Sequence, residues 1–297
     1  MTSQRPSRLR ENVPLRSLTY WRVGGPSDRL FEPADVDALA DYLASQPPAE
    51  PVTWLGLGSN VLVRDGGVRG TVVRTPPGLN EIEQVGDDEV VAGAGVAGAK
   101  LARFCARNGL REAAFFAGIP GTLGGALAMN AGAWGGETWA HVVAVSTLDR
   151  SGQRHERGPS DYDIGYRRVS GPSDEWFLSA RLRFPAGGDP AQLNERIRAL
   201  LAQRAESQPT GVASCGSVFR NPPGDHAARL IDAAGLKGLR VGGAHVSEKH
   251  ANFIINDDGA RAADIETLVA TVRERVAAAS GIWLEPEVRI IGEEASS

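Results

Sequence analysis

The sequence predicts a mixed α/β (α+β) protein built as two domains, and three observations predict it. A chain of 297 residues exceeds the roughly 100–200 that one domain usually organises around a single core. Segments with helical apolar spacing alternate with short β-branched runs bounded by glycine turns. The run PAGGDP at 185–190 then interrupts the pattern ahead of a long helical segment. Residues 1–190 are expected to form one domain with two subdomains divided near residue 75, and residues 191–297 a second.

Taken in order, Val36, Leu39, Ala40 and Leu43 recur at helical spacing after Pro33 and predict the first helix. PVTWLGLG, NVLVR and GTVVRT follow as short strands between glycine turns. EVVAGAG reads as a strand and AKLARFCARNG as a helix that Gly109 stops. After a glycine-rich block, HVVAVSTLD and FLSARLRF read as two more strands, and a sheet of mixed connectivity is expected. A helix is expected from Gln192 to Glu206, ahead of QPTG. The last third reads as helix DHAARLIDAAGLKG, strand NFIIN, a helix whose Ile265, Leu268, Val269, Val272 and Val276 form one apolar stripe, and strand WLEPEVRII. Both polar termini are expected to fray.

Composition narrows the function. Hydrophobic residues at 42% and charged residues at 23% exclude wholesale disorder and fibre. Thirty-two basic against 36 acidic residues leave a net charge of −4, which argues against a nucleic-acid partner. Two cysteines, Cys105 and Cys215, make no disulfide framework, and MTSQRPSRLRENVP has no apolar run for a signal peptide, so the cytoplasm is expected. The uncharged stretch Ala113–Gly136 reads as a buried glycine-rich loop with a short helix, not a membrane span, because glycines, Pro120 and Asn130 interrupt it. No metal is expected: HVSEKH is not HExxH and no Cys/His cluster has ligand spacing. There is no GxSxG of an α/β-hydrolase.

GAGVAG at 93–98 satisfies a dinucleotide-binding pattern between a strand and a helix. The acidic tip of a following strand is missing, so these small residues read as close helix–strand packing. Two other clusters, LGLGSNVLVRDGGVRG from Leu55 and GIPGTLGGALAMNAGAWG from Gly118, combine glycine with small hydrogen-bonding side chains. Gly56 and Gly58 permit a sharp turn whose N–H groups, with Ser59 and Asn60, can converge on a pyrophosphate. Gly124 and Gly125 can open a helix at Ala126 whose N-terminus faces the same anion. A hairpin turn and a tight loop explain each alone; together they point to a large phosphorylated cofactor.

The strings WRVGGP, GLGSNVLVRDGGVRG, GIPGTLGGALAMNAGAWG, GYRRVS, CGSVFRNP, AGLKG, VSEKHANFIIN and LEPEVRIIG occur in order between about Asn12 and Gly292. In that order and spacing the chain resembles the UDP-N-acetylenolpyruvoylglucosamine reductase (MurB) family of peptidoglycan precursor synthesis. The resemblance implies a FAD-binding domain of the p-cresol methylhydroxylase/vanillyl-alcohol oxidase type, a C-terminal α+β substrate-binding domain whose last strand returns Glu287 to the active site, and NADPH as reductant. A monomer is expected, with the small molecule UDP-N-acetylglucosamine enolpyruvate as its partner and neither nucleic acid nor membrane.

By motif, the resemblance assigns FAD to Val23 and Gly24, to the turn Gly56, Leu57, Gly58, Ser59, Asn60, Val61 and Leu62, and to the second loop. In that loop it covers Gly118, Ile119, Pro120, Gly121 and Thr122, then Gly124, Gly125 and Ala126, then Asn130 and Gly132. The catalytic trio falls on Arg167, Ser217 and Glu287, and substrate contacts on Tyr166, Arg220 and Asn221.

Chemistry gives each type a reason. Hydride added to the enolpyruvyl terminal carbon pushes charge towards the carbon bearing the carboxylate, and a forked arginine suits that developing enolate better than a lysine. A serine hydroxyl is a weak acid, so Ser217 can protonate the alpha carbon only if held in contact with it. An ionised Glu287 would repel the substrate carboxylate, so it is read as protonated and hydrogen-bond donating in the bound complex.

Three features depart from the family. Arg220 stands where lysine is common. Ala213 and Cys215 replace the usual residues before GSVF, putting a thiol two residues from Ser217 that is either reactive or, the preferred reading, buried and inert. The chain also lacks the extra tyrosine loop of the longer form and so resembles the shorter one. His250 and Asn252 of KHANF either line the substrate domain or cap local turns. The rival readings are a flavin oxidase on the same FAD fold and a non-catalytic nucleotide-binding relative.

Overall fold

A computed structural model describes residues 6–75 and 77–295. Of the termini expected to fray, residues 1–5, where a signal peptide would begin, and 296–297 lie outside the described residues, while Arg8–Pro14 forms a strand. The chain forms two compact units whose division departs from the expected break at 190/191. One takes 1–10, 30–56 and 72–204; the other gathers 11–29, 57–71 and 205–297. The helix Pro190–Ser207, expected to open the second domain, instead buries Ile197 in the first unit's apolar core and stays with that unit to 204. A four-stranded sheet runs in the order Arg8–Pro14, Pro26–Glu32, Val68–Arg74, Val52–Leu55.

The first unit is centred on a five-stranded sheet in the order Arg154–Arg157, Val142–Asp149, Glu175–Arg183, Glu89–Gly93, Ile82–Val85. Every pairing in it is antiparallel, where mixed connectivity was expected. The helices Gly98–Arg107 and Leu123–Met129 and the 3-10 turn Ala113–Gly118 join it in one apolar core, with Val90, Leu101, Phe116, Leu127 and Leu182 at 0–1% exposure. Each such side chain removed from water contributes about 1.5–3 kcal/mol. A Cβ on Gly98 would stand 2.5 Å from the Phe116 carbonyl oxygen, so GAGVAG is a packing motif, as read. The helix Val36–Ser45 starts where expected, because the Asp35 carboxylate accepts the Ala38 N–H at 2.8 Å, and its Leu39 and Leu43 enter a second core with Phe31 and Val73.

The second unit packs the helices Ala227–Ala233 and Ala262–Ser280 with the antiparallel strands Arg240–Val241, Ala244–Val246 and Ile254–Asn256. The stripe from Ile265 to Val276 is buried as its spacing predicts, and Asp65 caps its helix by accepting the Ala262 and Ala263 N–H groups, both at 2.9 Å. Trp21 fills the centre and donates its Nε1–H to the Ile254 carbonyl at 2.8 Å. The expected last strand WLEPEVRII is strand only at Arg289–Ile291, where it runs parallel to Val61–Val63. Among the described residues no helix is long and apolar enough to cross a membrane.

Candidate active site

In the first unit the glycine-rich block is ordered by its own backbone. Its helix begins at Leu123, not at Ala126, with Thr122 as the cap and Gly124 and Gly125 inside the first turn. The Leu123 and Gly124 N–H groups donate to the Val96 and Ala94 carbonyls, both at 2.8 Å, and Gly125 N–H to the Thr122 hydroxyl at 3.4 Å. That helix end therefore does not hold the row of open donors expected for an anion, because the turn at 94–96 takes the first two.

What remains open is a small-residue surface. The Thr122 hydroxyl lies 3.0 Å from where a Gly56 Cβ would stand and 3.8 Å from that of the exposed Gly125, which meets nothing else. A hydroxyl flanked by two side-chain-free positions suits a flat cofactor approached by backbone, so these residues fit FAD. Pro120 is exposed, Ile119 and Ala126 are buried, and Gly121 accepts the Gly98 N–H through its carbonyl at 3.2 Å. The Gly118 carbonyl accepts from Arg204 at 2.7 Å, and burial lowers the Arg204 pKa. Arg204 is a loop-holding residue that sequence reasoning missed, since nothing local links it to a position 86 residues away.

Arg167 occupies a two-residue turn between Asp163–Gly165 and Arg168–Ser170, with φ at +53°. Its Nη1 donates to the Asn130 carbonyl at 3.3 Å and its Nη2 to the Gly132 carbonyl at 2.8 Å. The guanidinium also lies 5.1 Å from the centre of the exposed Tyr166 ring. The structure thus ties the expected catalytic arginine to the expected cofactor loop. Asn130, 2% exposed, accepts the Trp139 N–H at 3.0 Å and donates to Glu137 at 3.0 Å and to the Gly165 carbonyl at 3.2 Å. Its side chain serves the fold, and its backbone is engaged too, the N–H on the Leu127 carbonyl and the carbonyl under Arg167.

In the second unit Val23 and Leu62 are core residues, Gly24 backs onto Val63, Ser59 and Gly58 are buried, Val61 is half-buried and Leu57 is exposed. Asn60 departs most from its expected part. Its amide donates to the Glu287 carbonyl at 3.1 Å and its own carbonyl accepts the Arg289 N–H at 3.1 Å, so it fastens the segment carrying Glu287.

Backbone pairing lays the segment 285–287 beside Val218, Phe219 and Arg220, which follow Ser217. Glu287 N–H donates to the Val218 carbonyl at 2.7 Å, Arg220 N–H to the Glu285 carbonyl at 2.9 Å, and Phe219 bridges Pro286. Arg220 pairs with Glu285 at 3.7 Å. Asn221, an expected substrate contact, accepts the Ala227 N–H at 3.1 Å with its side-chain oxygen, at the start of the helix Ala227–Ala233. Burial pushes the Cys215 thiol well above its usual pKa and the nearby Glu287 charge adds to this, so the thiol is neutral and enclosed, as the inert reading requires.

Comparison with known proteins places this geometry. The family described as the UDP-N-acetylenolpyruvoylglucosamine reductase C-terminal domain matches residues 208–291, and a FAD binding domain matches residues 27–158. A UDP-N-acetylenolpyruvoylglucosamine reductase from Methylococcus capsulatus is 59% identical, over 95% of this chain and 93% of its own. One from Alkalilimnicola ehrlichii is 57% identical, over 98% and 97%. The crystal structure of the reductase of this type from Thermus caldophilus superposes with a TM-score of 0.84 at 34% identity, covering 96% of this chain and 99% of its own. The chain carries a FAD-binding domain and belongs to the UDP-N-acetylenolpyruvoylglucosamine reductase family.

Proposed function

We propose that this protein uses NADPH and FAD to reduce UDP-N-acetylglucosamine enolpyruvate to UDP-N-acetylmuramate in peptidoglycan precursor synthesis, as a cytoplasmic monomer. The observation that carries the reading is the 2.7 Å hydrogen bond from Glu287 N–H to the Val218 carbonyl, which holds Glu287 beside the segment of Ser217, the two acid residues the reaction needs.

FAD, when bound, supplies hydride taken from NADPH. Arg167, anchored through two carbonyls, faces the substrate carboxylate with the rest of its five-donor fork and stabilises charge developing at the alpha carbon. Ser217 gives its hydroxyl proton to that carbon, so hydride at the terminal carbon and proton at the alpha carbon complete the lactyl ether. Glu287, as a neutral acid, donates a hydrogen bond to the substrate carboxylate. The main chain of Val23, Gly24 and residues 56–62, with the loop from Gly118 to Gly132, would hold FAD, and Tyr166, Arg220 and Asn221 would contact substrate.

The test is anaerobic stopped-flow on the purified holoenzyme, first reduced with NADPH and then mixed with the enolpyruvyl substrate. Rapid flavin reoxidation with UDP-N-acetylmuramate formed is expected, and Glu287→Gln, which still donates, should retain more of that rate than Glu287→Ala. Flavin that only oxygen reoxidises would replace this reading with the oxidase.

A further inference from the structure

Asn252 lies 35 residues from Ser217 along the chain and is 4% exposed. Its side-chain oxygen accepts the Phe219 N–H at 2.9 Å, its amide donates to the Phe219 carbonyl at 2.8 Å, and its own carbonyl accepts the Val218 N–H at 2.9 Å. The opposite edge of the same segment is held by Glu287 N–H on the Val218 carbonyl and by the Glu285 carbonyl on Arg220 N–H. All five backbone polar groups from the Val218 N–H to the Arg220 N–H are thereby engaged, three of them by Asn252. Asn252 is itself fixed, its N–H donating to His250 Nδ1 at 3.3 Å, and the His250 ring meets Phe253 edge-on.

These bonds have a specific consequence for Ser217. The serine follows Gly216, which has φ +83°, and lies between the buried Cys215 and Val218. Its backbone continues directly into the peptide that Asn252 clamps, so that clamp bears on where the serine sits. A carboxamide is the one small side chain that offers a donor and an acceptor side by side, the pair that a single residue's N–H and C=O demand. Aspartate matches the shape but, when ionised, sets a carboxylate oxygen against the Phe219 carbonyl.

We infer that Asn252 is a positioning residue for the known reaction, holding Ser217 where its hydroxyl reaches the alpha carbon of the substrate. This rests on the role proposed for Ser217.

The experiment uses the full-length holoenzyme and follows the two half-reactions separately by anaerobic stopped-flow, in wild type, Asn252→Asp, Ser217→Ala and the double variant. Flavin reduction by NADPH is expected to stay within about twofold of wild type in Asn252→Asp, and reoxidation by the enolpyruvyl substrate to fall by about 10- to 100-fold. A protonated carboxyl restores the donor, so the lost rate in Asn252→Asp should return as pH is lowered, while wild type shows no such gain. Adding Ser217→Ala to Asn252→Asp should cost less than Ser217→Ala costs wild type.

Equal losses in both half-reactions, or no recovery at low pH, would assign Asn252 a purely structural part and overturn the inference. Should Asn252→Asp not accumulate as flavin-bound protein, Asn252→Ser is measured the same way, and an unchanged reoxidation rate there overturns it too. If wild-type reduced flavin ignores the enolpyruvyl substrate, the function reading fails. If wild type turns over and the variants match it, only the role of Asn252 fails.

Discussion

Arg167 shows how one residue can be strained and anchored at once. A non-glycine residue at φ +53° carries a backbone cost of about 1–3 kcal/mol, and the bonds from its guanidinium to the Asn130 and Gly132 carbonyls offset it. Lysine would keep the charge but replaces the planar, five-donor fork with a compact ammonium. Arg167→Lys is therefore expected to slow reoxidation of reduced flavin by the enolpyruvyl substrate about 100-fold, with reduction by NADPH changed no more than about threefold. Single-turnover traces separate the two steps, and a lysine variant at the wild-type rate would remove the fork from the mechanism. Arg167, Ser217 and Glu287 were singled out by the motifs GYRRVS, CGSVFRNP and LEPEVRIIG of the family resemblance, not by any one residue's chemistry. The left-handed turn was not, since GYRRVS contains no glycine at the position that needs one.

At the scale of elements, the hairpin joining Val142–Asp149 to Arg154–Arg157 depends on one carboxylate. Asp149 accepts the Ser151 and Gln153 N–H groups at 2.8 and 2.9 Å and faces His155 at 2.7 Å. Burial alone would raise its pKa, but the hydrogen bonds of His155, Ser151 and the two amides together hold it down at about 2. The folded value lies below the unfolded one, near 3.9. Its contribution is therefore complete above about pH 4 and is lost as pH falls through the folded value. Asp149→Asn should lower the melting temperature at pH 5, keep that margin to about pH 4, and lose it progressively below. A margin unchanged at pH 3 would show that the charge contributes nothing. The glycine-rich helix teaches a different lesson about elements: it begins at Leu123, three residues before the expected Ala126, and the turn at 94–96 takes its first donors. Spacing alone showed that a helix was there, not where its free end pointed.

For the whole molecule the path of the chain matters more than its count of domains. The core built on the helix Ala262–Ser280 includes Trp21, Val23 and Leu62, and the strand Arg289–Ile291 pairs with Val61–Val63. A fragment of residues 191–297 lacks all of these partners. Loss of a buried tryptophan alone costs about 3–5 kcal/mol, a large share of the stability of a domain of this size. The isolated fragment is expected to show no cooperative thermal transition by circular dichroism, and a sharp transition would show that the C-terminal third folds on its own.

The sequence by itself determined the mixed fold class, the helices whose apolar stripes are local and periodic, the small-residue packing at 93–98, and the family, because all of these are written in residues close along the chain. Tertiary structure alone decided that Asn252 grips the Phe219 peptide, that Asn60 and Asn130 serve backbone rather than an open pocket, and that three stretches make the second unit. The physical reason is common to all three. A buried polar side chain is obliged to find partners, but which backbone it meets depends on chain segments far away in sequence, and no local pattern records that meeting.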